Sequence, residues 1–290
     1  MDSIRETGRA SMIGMDAMYS ELYRKLSDAC CCITVFIDEE KISEGTGFAF
    51  RRDGQVITAA HVVTGRVPIR DDDFSDPDVR VYAKFPRREL LEYRTAFRGI
   101  TIMVKGFSSP IQIDQAILVP KDGVFTDFPF LPAQTKPPQL GEEVFCAGYS
   151  DEIEVPFRVN RILENGIKGR EEFLRAMKMG YLADMTGPLI KRAVIGNICR
   201  VVAESSTQGI SLQCDVFYAD CAMHSGASGG PVVNAQGEAV GIITKRAVTS
   251  VSQSDASNLS VPSGATVGVS FQALDAACKH VAIHGAQHLC

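Results

Sequence analysis

The chain has 290 residues, 45% of them apolar, and a net charge of −5 from 30 Lys and Arg against 35 Asp and Glu. That length fits one large domain or two small ones, and the acidic balance gives no basic face for binding nucleic acid. No apolar run approaches the roughly 20 residues of a membrane-spanning helix, and Met1 to Ser20 carry Asp2, Arg5, Glu6, Arg9 and Asp16 without a continuous apolar stretch, so no secretory leader is expected.

Residues 1–11 read as a disordered start. Met15, Met18, Tyr19, Leu22, Leu26 and Ala29 then recur at helical spacing, with Asp16, Ser20, Glu21, Arg24 and Lys25 between them. This predicts an amphipathic helix packed on the body of the protein. Nine cysteines follow, none in a pair with metal-ligand spacing. Cys30-Cys31-Cys32 cannot converge on one metal or partner from a strand, whose neighbouring side chains point to opposite faces. The cysteines are expected to be small buried hydrophobes in a reduced, cytoplasmic protein.

From Ile33 to about Leu118, short β-branched runs alternate with Gly, Pro and Asp, as in a β-barrel. Asp71, Asp72, Asp73, Asp76 and Asp78 lack the glycine and terminal glutamate of an EF-hand and read as a solvated loop. Pro120 to Pro138 holds five prolines and predicts a connector, with a second β region opening near Leu140. Phe173, Leu174, Met177, Tyr181, Leu182 and Met185 share one helical face, opposite Arg170, Glu171, Arg175, Lys178 and Asp184. A helix within residues 157–190 follows, as packed surface decoration or, in the functional reading, as a lid or docking element. Strand signals resume at Ala193-Val194-Ile195. Thr249 to Thr266, rich in Ser, Gly and Asn, reads as a flexible loop, and Phe271 to Val281 as a closing helix.

The segment His224-Ser225-Gly226-Ala227-Ser228-Gly229-Gly230-Pro231 reads by itself as an ordinary loop between strands or as a turn that presents a nucleophile, and the rest of the chain decides between them. A serine hydroxyl needs a base to take its proton and donors to hold the developing oxyanion. Gly226 accepts the positive φ that a β-carbon resists, so its N–H can converge with that of Ser228. Of the five histidines, His61 follows the strand-like run Val56-Ile57-Thr58-Ala59-Ala60, which presents its ring at a strand end. His224 lies too close to Ser228 along the turn to act as its base, and His280, His284 and His288 read as solvated. Asp114, in the apolar run Ile111 to Val119, is costly to bury unless hydrogen-bonded, which makes it the best orienter for the imidazole.

The order His61, Asp114, Ser228, with its flanks, resembles the chymotrypsin-like serine proteases, and most closely their Deg/HtrA-type branch. Four segments carry the resemblance: Gly45-Thr46-Gly47-Phe48 with Gly54 to Val63; Asp114 to Leu118; Leu140 to Tyr149; and Gly226 to Asn234 with Gly237 to Ile242. The resemblance implies a mainly β fold of two antiparallel six-stranded β-barrels with N-terminal, inserted and C-terminal helices. Its divisions would be residues 1–32, 33–135 with His61 and Asp114, and 136–290 with Ser228. Residues 157–190 depart from the family pattern, which has a short hairpin there, and no PDZ segment follows the closing helix.

The activity implied is serine endopeptidase: His61 deprotonates Ser228, Asp114 holds His61, and the Gly226 and Ser228 N–H groups receive the oxyanion. Polypeptide is the substrate, with no cofactor or metal. Family spacing sets the base of the primary specificity pocket near Ala222 and Met223, with Thr244 and Lys245 beside the substrate. None is acidic, so a small or medium apolar P1 residue is expected. Ala227 replaces the acidic residue of digestive relatives, which removes zymogen activation through an ion pair to a new N-terminus. Gating by a regulatory protein at the N-terminal helix or the 157–190 insertion is a further expectation. The alternative is a catalytically silent domain that binds peptides or partners. A metal hydrolase is disfavoured by the lack of an HExxH motif, and an α/β-hydrolase by the order of histidine and serine.

Overall fold

The computed structural model describes residues 19–66, 68–69, 78–102, 111–123, 125–150, 169–178, 187–205, 210–253 and 256–284. A helix at residues 19–29 (α1) leads into β1 (Cys30–Ile37), β2 (Glu40–Ala49), β3 (Val56–Thr58), the short helix α2 (Ala60–Thr64), β4 (Val79–Lys84), β5 (Leu90–Ile102) and β6 (Ile111–Pro120). These six strands close an antiparallel barrel in the order β1-β2-β3-β6-β5-β4. The second barrel contains β7 (Glu143–Gly148), β8 (Leu189–Ser205), β9 (Ile210–Ala219), β10 (Pro231–Asn234), β11 (Ala239–Gln253) and β12 (Ala256–Ser270). It closes as β10-β11-β12-β9-β8-β7, the same cyclic order when β7 is counted first. Helix α3 (Gly169–Lys178) lies between β7 and β8, and α4 (Gln272–His284) ends the described chain.

Within each closed barrel a strand is paired on both sides and can bury apolar side chains inward, while the outer arms of β11 and β12 pair with each other alone among the described residues. In β1 burial extends to both faces: Cys30, Cys31, Cys32, Ile33, Val35 and Phe36 are all buried. The cysteine trio alternates across the strand as its sequence requires, and burial pushes all three thiols up in pKa. Seven cysteines among the described residues are free, while Cys278 on α4 is disulfide-bonded.

Helix α1 buries Leu22, Leu26 and Ala29 and sets Tyr19 and Tyr23 against Phe145, with ring centroids 5.6 and 5.8 Å apart. Lys25 donates to the Gly237 carbonyl at 3.1 Å, and Asp28 pairs with Arg87. The helix therefore touches both barrels. Met15, Met18 and residues 1–11 lie outside the described residues.

The connector is hydrogen-bonded to each barrel in turn. Leu131 N–H donates to Ala49 O at 2.9 Å, then Gln134 N–H and Ala239 N–H form bonds of 2.8 Å with Ala239 O and Pro132 O. Within the 157–190 insertion, α3 docks on the first barrel, with Phe173 and Met177 buried against Phe36 and Tyr82. Glu39 accepts from the Arg170 N–H at 2.8 Å at the helix start. Tyr181, Leu182 and Met185, like Asp71, Asp72, Asp73 and Asp76, lie outside the described residues.

Two expectations from the sequence are corrected. The strand before His61 ends at Thr58; Ala59, still extended, is the last residue before the chain turns into α2, which places His61 on a helix. Thr249 to Thr266 belongs largely to the arms of the β11–β12 hairpin, with Thr249 opposite Val261 and Val251 opposite Leu259. The β-branched residues interspersed in this stretch, Thr249, Val251 and Val261 among them, favour the ladder despite the small polar residues around them.

The burial pattern predicts thiol reactivity. Iodoacetamide should alkylate exposed Cys199 in the native protein and leave Cys30, Cys31 and Cys32 unmodified until it is unfolded, as read by peptide mass mapping. Native labelling of the trio at the rate of Cys199 would contradict this packing.

Candidate active site

Helix α2 begins with small, buried Ala60 and ends at Gly65, whose φ of 70° lets its N–H cap the His61 carbonyl at 2.8 Å. Val62 and Val63 are buried, which leaves His61 on the open side with 23% of its side chain exposed. Asp114, on β6, is 21% exposed and grips His61 at two points. Its Oδ1 accepts the His61 main-chain N–H at 2.8 Å, and its Oδ2 lies 2.6 Å from Nδ1. A carboxylate can only accept, so the proton between them sits on Nδ1 and the neutral ring keeps its lone pair on Nε2.

Ser228 lies on the turn before β10, between Gly226 and Gly229, both at φ 85°. The turn is wedged between strands of both barrels. Gly229 N–H donates to Ile243 O at 2.7 Å, Ile243 N–H donates to Gly230 O at 2.8 Å, and Thr46 N–H donates to Ser228 O at 2.8 Å. Side chains would not fit: a Cβ on Gly229 would stand 2.1 Å from Thr46 O, and one on Gly230 2.0 Å from Ala147 O. Among the described residues, the N–H groups of Gly226 and Ser228 meet no hydrogen-bond acceptor. The Ser228 hydroxyl donates to Thr244 O at 3.2 Å.

A cleft of about 540 Å³ brings His61, Asp114, Gly226 and Ser228 together, and Met223, Thr244 and Lys245 also line it. Ala222 stands outside the lining; its carbonyl accepts from the Lys191 ammonium. Met223 is held in place by Thr266, whose hydroxyl accepts the Met223 N–H at 3.0 Å and donates to Cys221 O at 2.6 Å. Nearby, a hydrogen bond shared by Cys146 and Cys221 raises the first thiol's pKa and lowers the second's. His224 lines the cleft too, its Nε2 3.4 Å from Lys191 Nζ.

The apolar walls include Leu212, Cys214 and Val216 on β9 and Val267 and Val269 on β12, which sequence reasoning missed. Their period-two spacing marks them as one strand face each. Among the described residues, no group of three or more His, Cys, Asp or Glu is placed to hold a metal ion, and no helix is long and apolar enough to cross a membrane.

Two closed six-stranded antiparallel barrels joined by a single connector are the chymotrypsin fold. Residues 45–242 match the trypsin-like peptidase domain, and the chain belongs to that family. Among solved structures it is similar to the Rv3671c protease in an inactive form, at 16% identity over 91% of this chain and 93% of that one, with a TM-score of 0.49. No curated protein matches it.

The close approach at Gly229 is testable against Gly141, which has φ 80° and open space around it. Gly141→Ala should cost about 1 kcal/mol from backbone strain alone. Gly229→Ala should cost at least about 2 kcal/mol more, because its clash is with main chain. Urea unfolding of the two variants measures the difference, and equal losses would mean the turn is not wedged as described.

Proposed function

We propose that the chain is a serine endopeptidase that works through an acyl-enzyme. The observation that carries this is the two-point grip of Asp114 on His61, which fixes the tautomer with Nε2 as base, in the same cleft as Ser228. Ser228 Oγ attacks the scissile carbonyl as His61 Nε2 takes its proton, and the imidazolium is stabilised by Asp114. The N–H groups of Gly226 and Ser228 receive the oxyanion. His61 then protonates the leaving amine, and water repeats the cycle on the ester. From its position against Thr244 O, the Ser228 hydroxyl must rotate toward His61 before attack.

The primary pocket, in this reading, is floored by Met223 rather than Ala222 and walled by Val216, Ile243 and Val267. Such a wall receives a small or medium apolar P1 side chain, such as Val, Ala or Leu, and leaves a buried guanidinium unpaired. Lys245, on the lining, is placed to meet an acidic group elsewhere on the substrate.

Gating by a partner is supported by where the helices sit. His61 and Asp114 belong to the first barrel and Ser228 to the second, while α1 bridges the two and α3 joins the second barrel's chain to the first barrel's surface. A protein engaging α1 or the 157–190 insertion would act on that alignment. A cytoplasmic setting is supported by the seven free thiols, against which the disulfide-bonded Cys278 stands.

Ser228→Ala should abolish both peptide hydrolysis and labelling by a fluorophosphonate; unchanged hydrolysis by the purified variant would end this reading. Asp114→Asn should stay folded and lose on the order of 10³- to 10⁴-fold in kcat, because an amide can present the wrong tautomer of His61. Digestion of a peptide library should show cleavage after Val, Ala or Leu, and a preference for Arg would overturn the pocket assignment.

A further inference from the structure

The nucleophile turn is held from the first barrel by one fully buried side chain that no catalytic role has yet used. Thr46, on β2, has no exposed surface. Its main-chain N–H donates to Ser228 O at 2.8 Å, and its hydroxyl donates to Gly226 O, also at 2.8 Å. The same hydroxyl accepts the Tyr149 N–H at 2.8 Å, and Thr46 O accepts from the Thr58 hydroxyl at 2.7 Å. A hydroxyl has one proton to give. With Tyr149 donating to the oxygen, that proton goes to the Gly226 carbonyl, so the direction of the bond is fixed.

The two carbonyls gripped by Thr46 flank the Ser228 N–H. Gly226 O orients the peptide between Gly226 and Ala227, and Ser228 O orients the peptide between Ser228 and Gly229. The peptide that carries the Ser228 N–H lies between these two pinned planes. The Gly226 N–H adjoins the first of them through a residue at φ 85°, a conformation that glycine leaves readily.

Resting on the acyl-enzyme reading, we propose that Thr46 is a positioning residue for the oxyanion site: its hydroxyl holds the Gly226 carbonyl so that the Gly226 and Ser228 N–H groups stay aimed at the oxyanion. It touches no substrate and takes part in no proton transfer. Its effect is confined to the charge that develops in the transition state, so it should act on kcat and leave substrate binding nearly alone.

The pair Thr46→Ser and Thr46→Ala tests this, because both lose the γ-methyl and only the second loses the hydroxyl. Rates on a peptide with Val or Leu at P1 are normalised to folded protein measured by far-UV circular dichroism. Thr46→Ala should lose about 10- to 100-fold in kcat with KM within about threefold, somewhat less than deleting an oxyanion donor outright. Thr46→Ser should recover most of that loss. Affinity for a peptide aldehyde, whose hemiacetal oxygen occupies the oxyanion position, should fall with kcat. If Thr46→Ala does not fold, Thr46→Val keeps the branched volume without the hydroxyl and takes its place. Equal kcat for the hydroxyl-bearing and hydroxyl-free variants, or a loss confined to KM or to stability, would refute the positioning role. Absence of Ser228-dependent hydrolysis in the unmodified chain would instead remove the acyl-enzyme reading, and this inference with it.

Discussion

The cleft depends on how closely β2 of the first barrel approaches the turn at residues 225–230 of the second. Groups at that seam are separated by van der Waals or hydrogen-bond distances with no side chain between them: Gly229 lies against Thr46 O and Thr58 Oγ1 of the first barrel, while Gly230 lies against Ala147 O of its own barrel. The histidine and aspartate stand on one barrel and the serine on the other, so a displacement of even 1 Å along this seam would misalign them. Glycine at 229 and 230 is what lets the backbones come so near. Their N–H groups are also engaged, with Ile243 O and Ala227 O, so the turn is fixed by its own backbone as well as by the seam.

Other elements reinforce the seam from a distance. The connector exchanges hydrogen bonds with Ala49 on one barrel and Ala239 on the other, and Ala239 opens the strand that reaches Ile243. Helix α1 buries Leu26 without residual exposure and reaches Gly237 through Lys25 and Arg87 through Asp28. Exposed ion pairs such as the last contribute little alone. The apolar stripe therefore does most of the holding.

How much of this was legible depended on how local its causes are. His61, Asp114 and Ser228 each sit at a local event in the sequence: small residues after a strand, a carboxylate within an apolar run, a glycine turn. Helix α2 was not legible, because Val62, Val63 and Thr64 favour a strand; it forms where Asp114 accepts the His61 N–H and Gly65 caps the end. Ala222 follows from the family resemblance, but Lys191 binds its carbonyl and Met223 lines the cleft. Leu212, Cys214 and Val216 announce one strand face without saying what it faces, since that depends on β9 pairing with β12 across the closed barrel. Thr46 stands between two glycines, in a segment whose resemblance to the family says nothing of its hydroxyl. Its partner Gly226 is 180 residues away, a separation at which no pattern in the chain signals contact.

Strand β11 ties these pieces to the resting position of the Ser228 hydroxyl. Ile243 is bonded to Gly229 and Gly230, and the next residue, Thr244, accepts the Ser228 hydroxyl. One residue further, Lys245 lines the cleft, and the strand then runs on as a hairpin arm to Gln253. Register shifts between Ile243 and Lys245, and again between Arg246 and Val248, interrupt its ladder with β12 at this point. A bulge leaves backbone groups out of the ladder and bends the strand, so the Thr244 carbonyl is free to turn toward Ser228 where a regular strand would have paired it. The bond it forms directs the Ser228 hydroxyl proton to a carbonyl of its own barrel, while Asp114 grips His61 on the other. Moving the hairpin arm would therefore bear directly on the bond that holds the Ser228 hydroxyl, while the bonds from Asp114 to His61 lie on the other barrel.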